Sequence, residues 1–188
     1  MKKILQKEAP ILRDIAEEVS IAEIKSDRIK TILAEMKEAL MGEEDGVAIA
    51  APQIGYSLRI FIVSGKIVNI IKNEKKQKVE AKAMTEQTAI VFINPKIIKI
   101  SKERKTVEEG CLSVRFLYGK VSRASKATIE ATDENGKKFV RGGTGLLAQI
   151  FQHEIDHLNG ILFIDKAKYV EEIIPKHIKQ PINHVTKK

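Results

Sequence analysis

The sequence predicts an α+β fold whose sheets are mixed and mostly antiparallel. Three observations carry that expectation: an amphipathic helical stripe near the start, short strand-like runs in the middle, and a second helix late in the chain. These segments do not alternate strand, helix, strand, as a parallel βαβ sheet requires. The stripe passes through Ile29, Ile32, Leu33, Met36 and Leu40 at spacings of three and four, with charges on the other face and Gly42 as its stop. Residues 59–63 read as a buried strand, and so do 90–93, which end before Asn94-Pro95. The polar stretch 73–87 between them reads as a loop or hairpin. Segments 127–131 and 137–141 flank Asp133-Glu134-Asn135-Gly136 and predict a β-hairpin around Asn135-Gly136. Gly142-Gly143 is expected to break the second of those strands. From about 144 to 158, Leu146, Leu147, Ile150, Phe151 and Leu158 supply a helix, and the last twenty or so residues are weakly helical at best, interrupted by Pro175 and Pro181.

At 188 residues, with 43% hydrophobic and 31% charged, the chain suits one domain that can bury a sizeable core. The expected unit is 1–188, with its core at about 46–165 and a basic tail at 166–188. No apolar run approaches the ~18 residues that span a bilayer, and the start lacks the apolar segment of a signal peptide. The lone cysteine, Cys111, excludes an intrachain disulfide and points to a reducing compartment. A soluble, cytoplasmic protein is expected. The net charge of +8 permits contact with an anionic partner such as a ribosome surface, but a lysine-heavy surface also serves solubility alone. Lysines concentrate at 72–82 and 166–188 without aromatic stacking residues or a nucleic-acid motif, so charge does not decide the chemistry.

The chemistry lies in Gln152-His153-Glu154-Ile155-Asp156-His157. Histidines four apart on a helix project from one face, so both imidazoles can bind one metal ion. Glu154 can lean toward water at that ion as a general base. Two histidines held by backbone or carboxylates form the competing, structural reading, yet half of the chain's four histidines fall in this one motif. A catalytic site that keeps a position open for water needs a third protein ligand. No downstream histidine follows in the register of extended zinc-protease motifs, and His177 and His184 lie in the basic tail. Cys111, beside Gly110, is the remaining candidate; a buried small hydrophobe is its other reading. Thiolate with two imidazoles suits Fe(II), Zn or Ni. A third segment, 46–53, is rich in small residues that let an extended peptide approach the backbone, and Gln53 could donate its amide to a developing oxyanion.

Taken in order, these three segments resemble peptide deformylase, the metalloenzyme that removes the formyl group from nascent bacterial polypeptides. The family pattern is Gly-x-Gly-x-Ala-Ala-x-Gln, then Glu-Gly-Cys-Leu-Ser, then His-Glu-x-x-His. The second is intact at 109–113 and the third at 153–157, and order and spacing match over about 46–165. The resemblance implies that the sheets surround a central metal-binding helix. It implies Cys111, His153 and His157 as metal ligands, with Fe(II) the usual native ion and Zn, Ni or Co as substitutes. Glu154 would take a proton from the attacking water and pass it to the leaving amine. Gln53 and the backbone N–H of Leu112 would stabilise the oxyanion, and formate would be released. An extended N-formylmethionyl peptide would lie between the segments around Val47 and Gly110. Leu146 and Ile150 would face its methionine side chain, while Gln149 is a polar choice for that lining. DNA and membranes are not expected partners; transient ribosome contact through the tail is. The chain departs from the pattern at Ala48, where the family has glycine, and at Arg115, where it usually has proline or glycine. Altered kinetics or peptide preference, rather than lost activity, is expected from these departures, because every ligand and Glu154 remain. A generic zinc peptidase and a non-catalytic metal-binding module are the rival readings; the Cys111 segment disfavours the first and Glu154 the second.

Overall fold

Ser26 opens the first helix by accepting the Ile29 N–H on its side chain, which satisfies one of the donors that a helix start leaves unpaired. That helix, α1 (Asp27–Met41), buries Ile29, Ile32, Leu33, Met36 and Leu40, the stripe read from the sequence. The computed structural model describes residues 2–67 and 89–174. After α1 come β1 (Ala48–Ala50), β2 (Ile60–Ser64), β3 (Ala89–Ile100), β4 (Arg104–Gly110), β5 (Leu117–Ala124), β6 (Lys126–Thr132), β7 (Lys138–Thr144), α2 (Leu146–Leu158) and β8 (Val170–Glu172). This is the expected α+β class. One sheet has the order β1-β2-β3-β6-β7 and the other β4-β5-β8, with every neighbouring pair antiparallel. No helix among the described residues is long and apolar enough to cross a membrane. The 73–87 segment, Pro175, Pro181, His177 and His184 lie outside the described residues.

Strand alternation sorts the core into two layers. Ile60 and Ile62 of β2 pack with α1, whereas Phe61 and Val63 point the other way and pack with Leu147, Ile150 and Phe151 of α2. The five-stranded sheet is therefore filled on both faces at β1 and β2, which are buried throughout and read as continuous apolar runs for that reason. Phe61 stacks on Phe92 with ring centroids 4.5 Å apart, and Phe151 meets Phe92 edge-on at 5.6 Å. A third, smaller cluster of Leu12, Val114, Val121, Leu162 and Phe163 lies at the other sheet. The end of α2 is tied to the start of the chain: Leu158 O accepts the Ala16 N–H at 3.0 Å and Arg59 Nη1 at 3.2 Å.

Two boundaries differ from the sequence reading. β3 does not stop at Asn94-Pro95 but runs through them, because the register shifts between Ile93 and Lys96 and a bulge tolerates a residue without an N–H. Asn94 sits there at φ 50°, its side chain bonded to both the N–H and the C=O of Val19. Likewise, Gly142-Gly143 does not break β7. A Cβ on Gly143 would come within 2.9 Å of the Phe151 ring and 3.1 Å of the Ala148 backbone nitrogen, so the glycine admits α2 close to the strand. The hairpin does form around Asn135-Gly136, closed by Asp133, whose carboxylate accepts the N–H groups of Asn135 and Lys137. Residues 170–172, within the stretch read as a basic tail, pair as β8 with β5.

Candidate active site

β1 and β4 are the edge strands of their respective sheets, and both border one cleft of about 360 Å³. Val47 and Ala48 form one side, Glu108, Glu109 and Gly110 the other, and α2 supplies the floor through Leu146, Gln149, Ile150, His153 and Glu154. Gln53, Cys111 and Leu112 line it as well. Every site residue singled out in the sequence thus lies at this cleft except His157, which is buried on the next turn of α2 behind His153. Gly110 is needed at the rim, since a Cβ there would sit 2.9 Å from the Tyr118 ring. Ala48 has ordinary strand geometry, because Asn94 and Phe116 are the described non-glycine residues with positive φ. Gln149 does line the cleft, but its amide is engaged, donating to the Glu108 carbonyl at 2.8 Å.

Three side chains from two elements converge. The donor atoms of Cys111, His153 and His157 all lie within 4.8 Å of one another, and Cys111 Sγ is 3.1 Å from His157 Nε2. Spacing of four on α2 brings the two rings together, with centroids 5.0 Å apart. His153 Nδ1 donates to Glu109 at 3.0 Å, which leaves Nε2 as the lone-pair nitrogen of that ring. Burial pushes the Cys111 thiol up, but the charges and hydrogen bonds of His157 and His153 outweigh it and bring the thiol down to about 5. A thiolate and two oriented imidazoles form a soft, mixed donor set that fits a first-row transition metal or zinc. Gln53 is pinned beside them: its Oε1 accepts the Ala50 N–H at 2.8 Å, and its Nε2 donates to Ser113 Oγ at 3.0 Å and lies 3.5 Å from Cys111 Sγ.

Glu154 is 4% exposed, and its Oε2 is buried without a hydrogen-bond partner. Burial raises this carboxyl to about 7, against the opposing pull of His153 and His157. A carboxyl poised there can both take up and release a proton near neutrality.

Behind the donors lies a buried charge network that sequence reasoning missed. Arg123, 4% exposed, grips both oxygens of Glu109 at 2.7 and 2.8 Å and reaches Asp156 at 2.5 Å, and Lys166 meets Asp156 at 2.6 Å. Burial opposes ionisation of Glu109, yet Arg123 and His153 hold it down to about 2. Glu109 therefore stays anionic and fixes the orientation of the His153 ring. Its place two residues before Cys111 was the available signal; nothing in the sequence around Arg123 marks it as a partner.

A family model described as polypeptide deformylase matches residues 1–172. A relative from Clostridium acetobutylicum named peptide deformylase 2 is 39% identical over 165 residues, 88% of this chain and 94% of the relative. Among solved structures, a peptide deformylase from Thermotoga maritima superposes with a TM-score of 0.73 at 30% identity, covering 90% of this chain and 99% of that one. A Met-Ala-Ser-bound structure of a class I type b peptide deformylase from Acinetobacter baumannii superposes with a TM-score of 0.72 at 32% identity, covering 88% and 97%.

Proposed function

The chain belongs to the polypeptide deformylase family, metal-dependent hydrolases that remove the N-formyl group from newly made peptides, and we propose that Glu154 moves the proton in that reaction beside an ion held by Cys111, His153 and His157. The observation that carries these assignments is the buried, unpartnered Glu154 carboxyl next to a convergent Cys-His-His set. When bound, the cation would supply the acidity that makes water a nucleophile at neutral pH and would polarise the formyl oxygen. Fe(II) is the native ion we propose, with Zn, Ni or Co as substitutes.

The chain's own groups do the rest. Glu154 Oε2 accepts the proton of the attacking water and returns it to the departing amine, so that formate and a free amino terminus result. The Gln53 amide, held in place by Ala50 and Ser113, and the backbone N–H of Leu112 donate to the oxygen as it gains charge; one such donor is worth about 3 kcal/mol. The edges of β1 and β4, around Val47, Ala48 and Gly110, receive the peptide backbone in extended form. Leu146 and Ile150 contact the methionine side chain. The Met-Ala-Ser peptide in the Acinetobacter relative supports a peptide of that kind as the occupant. We read residues 1–188 as one domain, acting in a bacterial cytoplasm on N-formylmethionyl nascent chains, with transient ribosome contact through the lysine-rich end.

The test is formate release from a formyl-methionyl tripeptide under anaerobic conditions, with Fe(II)- or Ni(II)-loaded protein. Release by the wild type and its near-loss in Glu154→Ala is the expected result. No release by protein carrying a stoichiometric metal would overturn the reading.

A further inference from the structure

Arg115 stands two residues after Ser113 of the cysteine motif, and the fold gives its charge a defined place. Its Nη1 lies 3.0 and 3.4 Å from the two oxygens of Asp45, and its Nη2 pairs with Glu43. Both acids sit on the loop that joins α1 to β1, so the pairing spans the chain from that loop to the segment between β4 and β5. Its backbone N–H is tied as well, donating to Gln6 Oε1 at 3.3 Å. The next residue, Phe116, is held at φ 66°, a left-handed conformation that a bulky side chain rarely adopts. Arg115, Phe116 and Asp45 all line the cleft. This side of the cleft is therefore braced, and its charge is fixed in position.

The sign of that charge is the informative part. Two carboxylates against one guanidinium leave one negative charge; Glu108 also borders the cleft, but Lys120 lies directly across the strand pair from it and offsets its charge. Glu109 adds none, because Arg123 consumes it. The cleft mouth is thus negative on a chain whose net charge is +8. Asp45 is 62% exposed on its side chain, so solvent and salt screen its field but do not abolish it.

The geometry points to Arg115, Glu43 and Asp45 as a specificity-determining set that sorts substrates by the charge of the residues following formylmethionine. Basic peptides are favoured and acidic ones disfavoured. This rests on the deformylase reading above. Arg115 moderates the preference, and the two acids set its direction.

The test compares kcat/KM of metal-loaded enzyme on formyl-Met-Lys-Ala, formyl-Met-Ala-Ala and formyl-Met-Glu-Ala, taking the Lys to Glu ratio within each variant so that a general change of activity cancels. At low salt the wild-type ratio should be roughly three to ten, falling toward one at about 0.5 M salt. Arg115→Gln should raise it, and the double variant Glu43→Gln, Asp45→Asn, which leaves Arg115 unopposed, should bring it below one. Ratios that agree within twofold across wild type and both variants would overturn the proposal while leaving deformylation intact. Absence of formate from all three peptides would overturn the functional reading, and this proposal with it.

Discussion

An arginine is set between two carboxylates behind the candidate metal donors and again at the cleft rim, and the two sets differ in burial and in the further partners, Lys166 and His153, that the inner one engages. At the inner end Arg123 lies between Glu109 and Asp156, with side chains 2–11% exposed. At the rim Arg115 lies between Glu43 and Asp45, with side chains 28–62% exposed. The same chemistry has opposite consequences. A buried pair cannot lose one member without stranding a charge in a poorly solvated place, so the inner set is a fixed part of the scaffold. An exposed pair is rehydrated when broken, so the rim set is free to vary and to adjust which peptide enters.

The largest effect tests what the inner set supports. Glu154→Gln should lower kcat by about 10²–10⁴-fold with the bound metal content unchanged, as measured by formate release and metal analysis of the same sample. A loss of metal along with activity would instead make Glu154 part of the scaffold. Next, Arg123→Met leaves Glu109 with His153 alone and Asp156 with Lys166 alone, and should cost about 3–5 kcal/mol, read as a Tm lower by roughly 10 °C in a calorimetric scan. A drop within 2–3 °C would erase the contrast drawn above.

The pH dependence of that drop sharpens the comparison. Glu109 is held at about 2, below its ordinary 4.5. A carboxylate with a depressed folded-state pKa stabilises fully above the unfolded value and loses that contribution as pH falls through the folded one. The Tm gap between wild type and Arg123→Met should therefore be steady at neutral pH and narrow as pH falls from about 4.5 toward 2. A gap of equal size at both ends would mean that Arg123 acts through packing instead of charge. The smallest effect belongs to the rim. Arg115→Gln should change stability by less than about 1 kcal/mol, seen as a Tm shift of a few degrees at most, while still altering peptide preference.

The contrast also explains what the sequence made legible. The donors announced themselves because two sit at a helical spacing of four and the third inside a short run with glycine. α1 was legible from its apolar period, and the hairpin at Asn135-Gly136 from its turn residues. β4 and β5 were not. Only Glu109 is fully buried on β4, and it is charged, so the strand carries no apolar alternation. Its ionic partner Arg123 is 14 residues away, on a strand paired with it only after folding. The passage of β3 through Pro95 and of β7 through Gly142-Gly143 was hidden for a related reason. A bulge tolerates the first and a helix from later in the chain demands the second, and neither cause is local.

The bond between Ala16 N–H and Leu158 O bears on the order of events during synthesis. Ala16 is made some 140 residues before Leu158, the last residue of α2, whose carbonyl its N–H closes off. Contacts of such long sequence separation form late, because the intervening chain must first be confined. Until they do, the Leu158 carbonyl lacks one of its two donors, and Ala16 lacks the α2 residues of its core cluster. The candidate site is therefore among the last parts of the molecule to be completed, and a chain halted between residues 144 and 153 contains every described strand of the larger sheet but neither histidine donor.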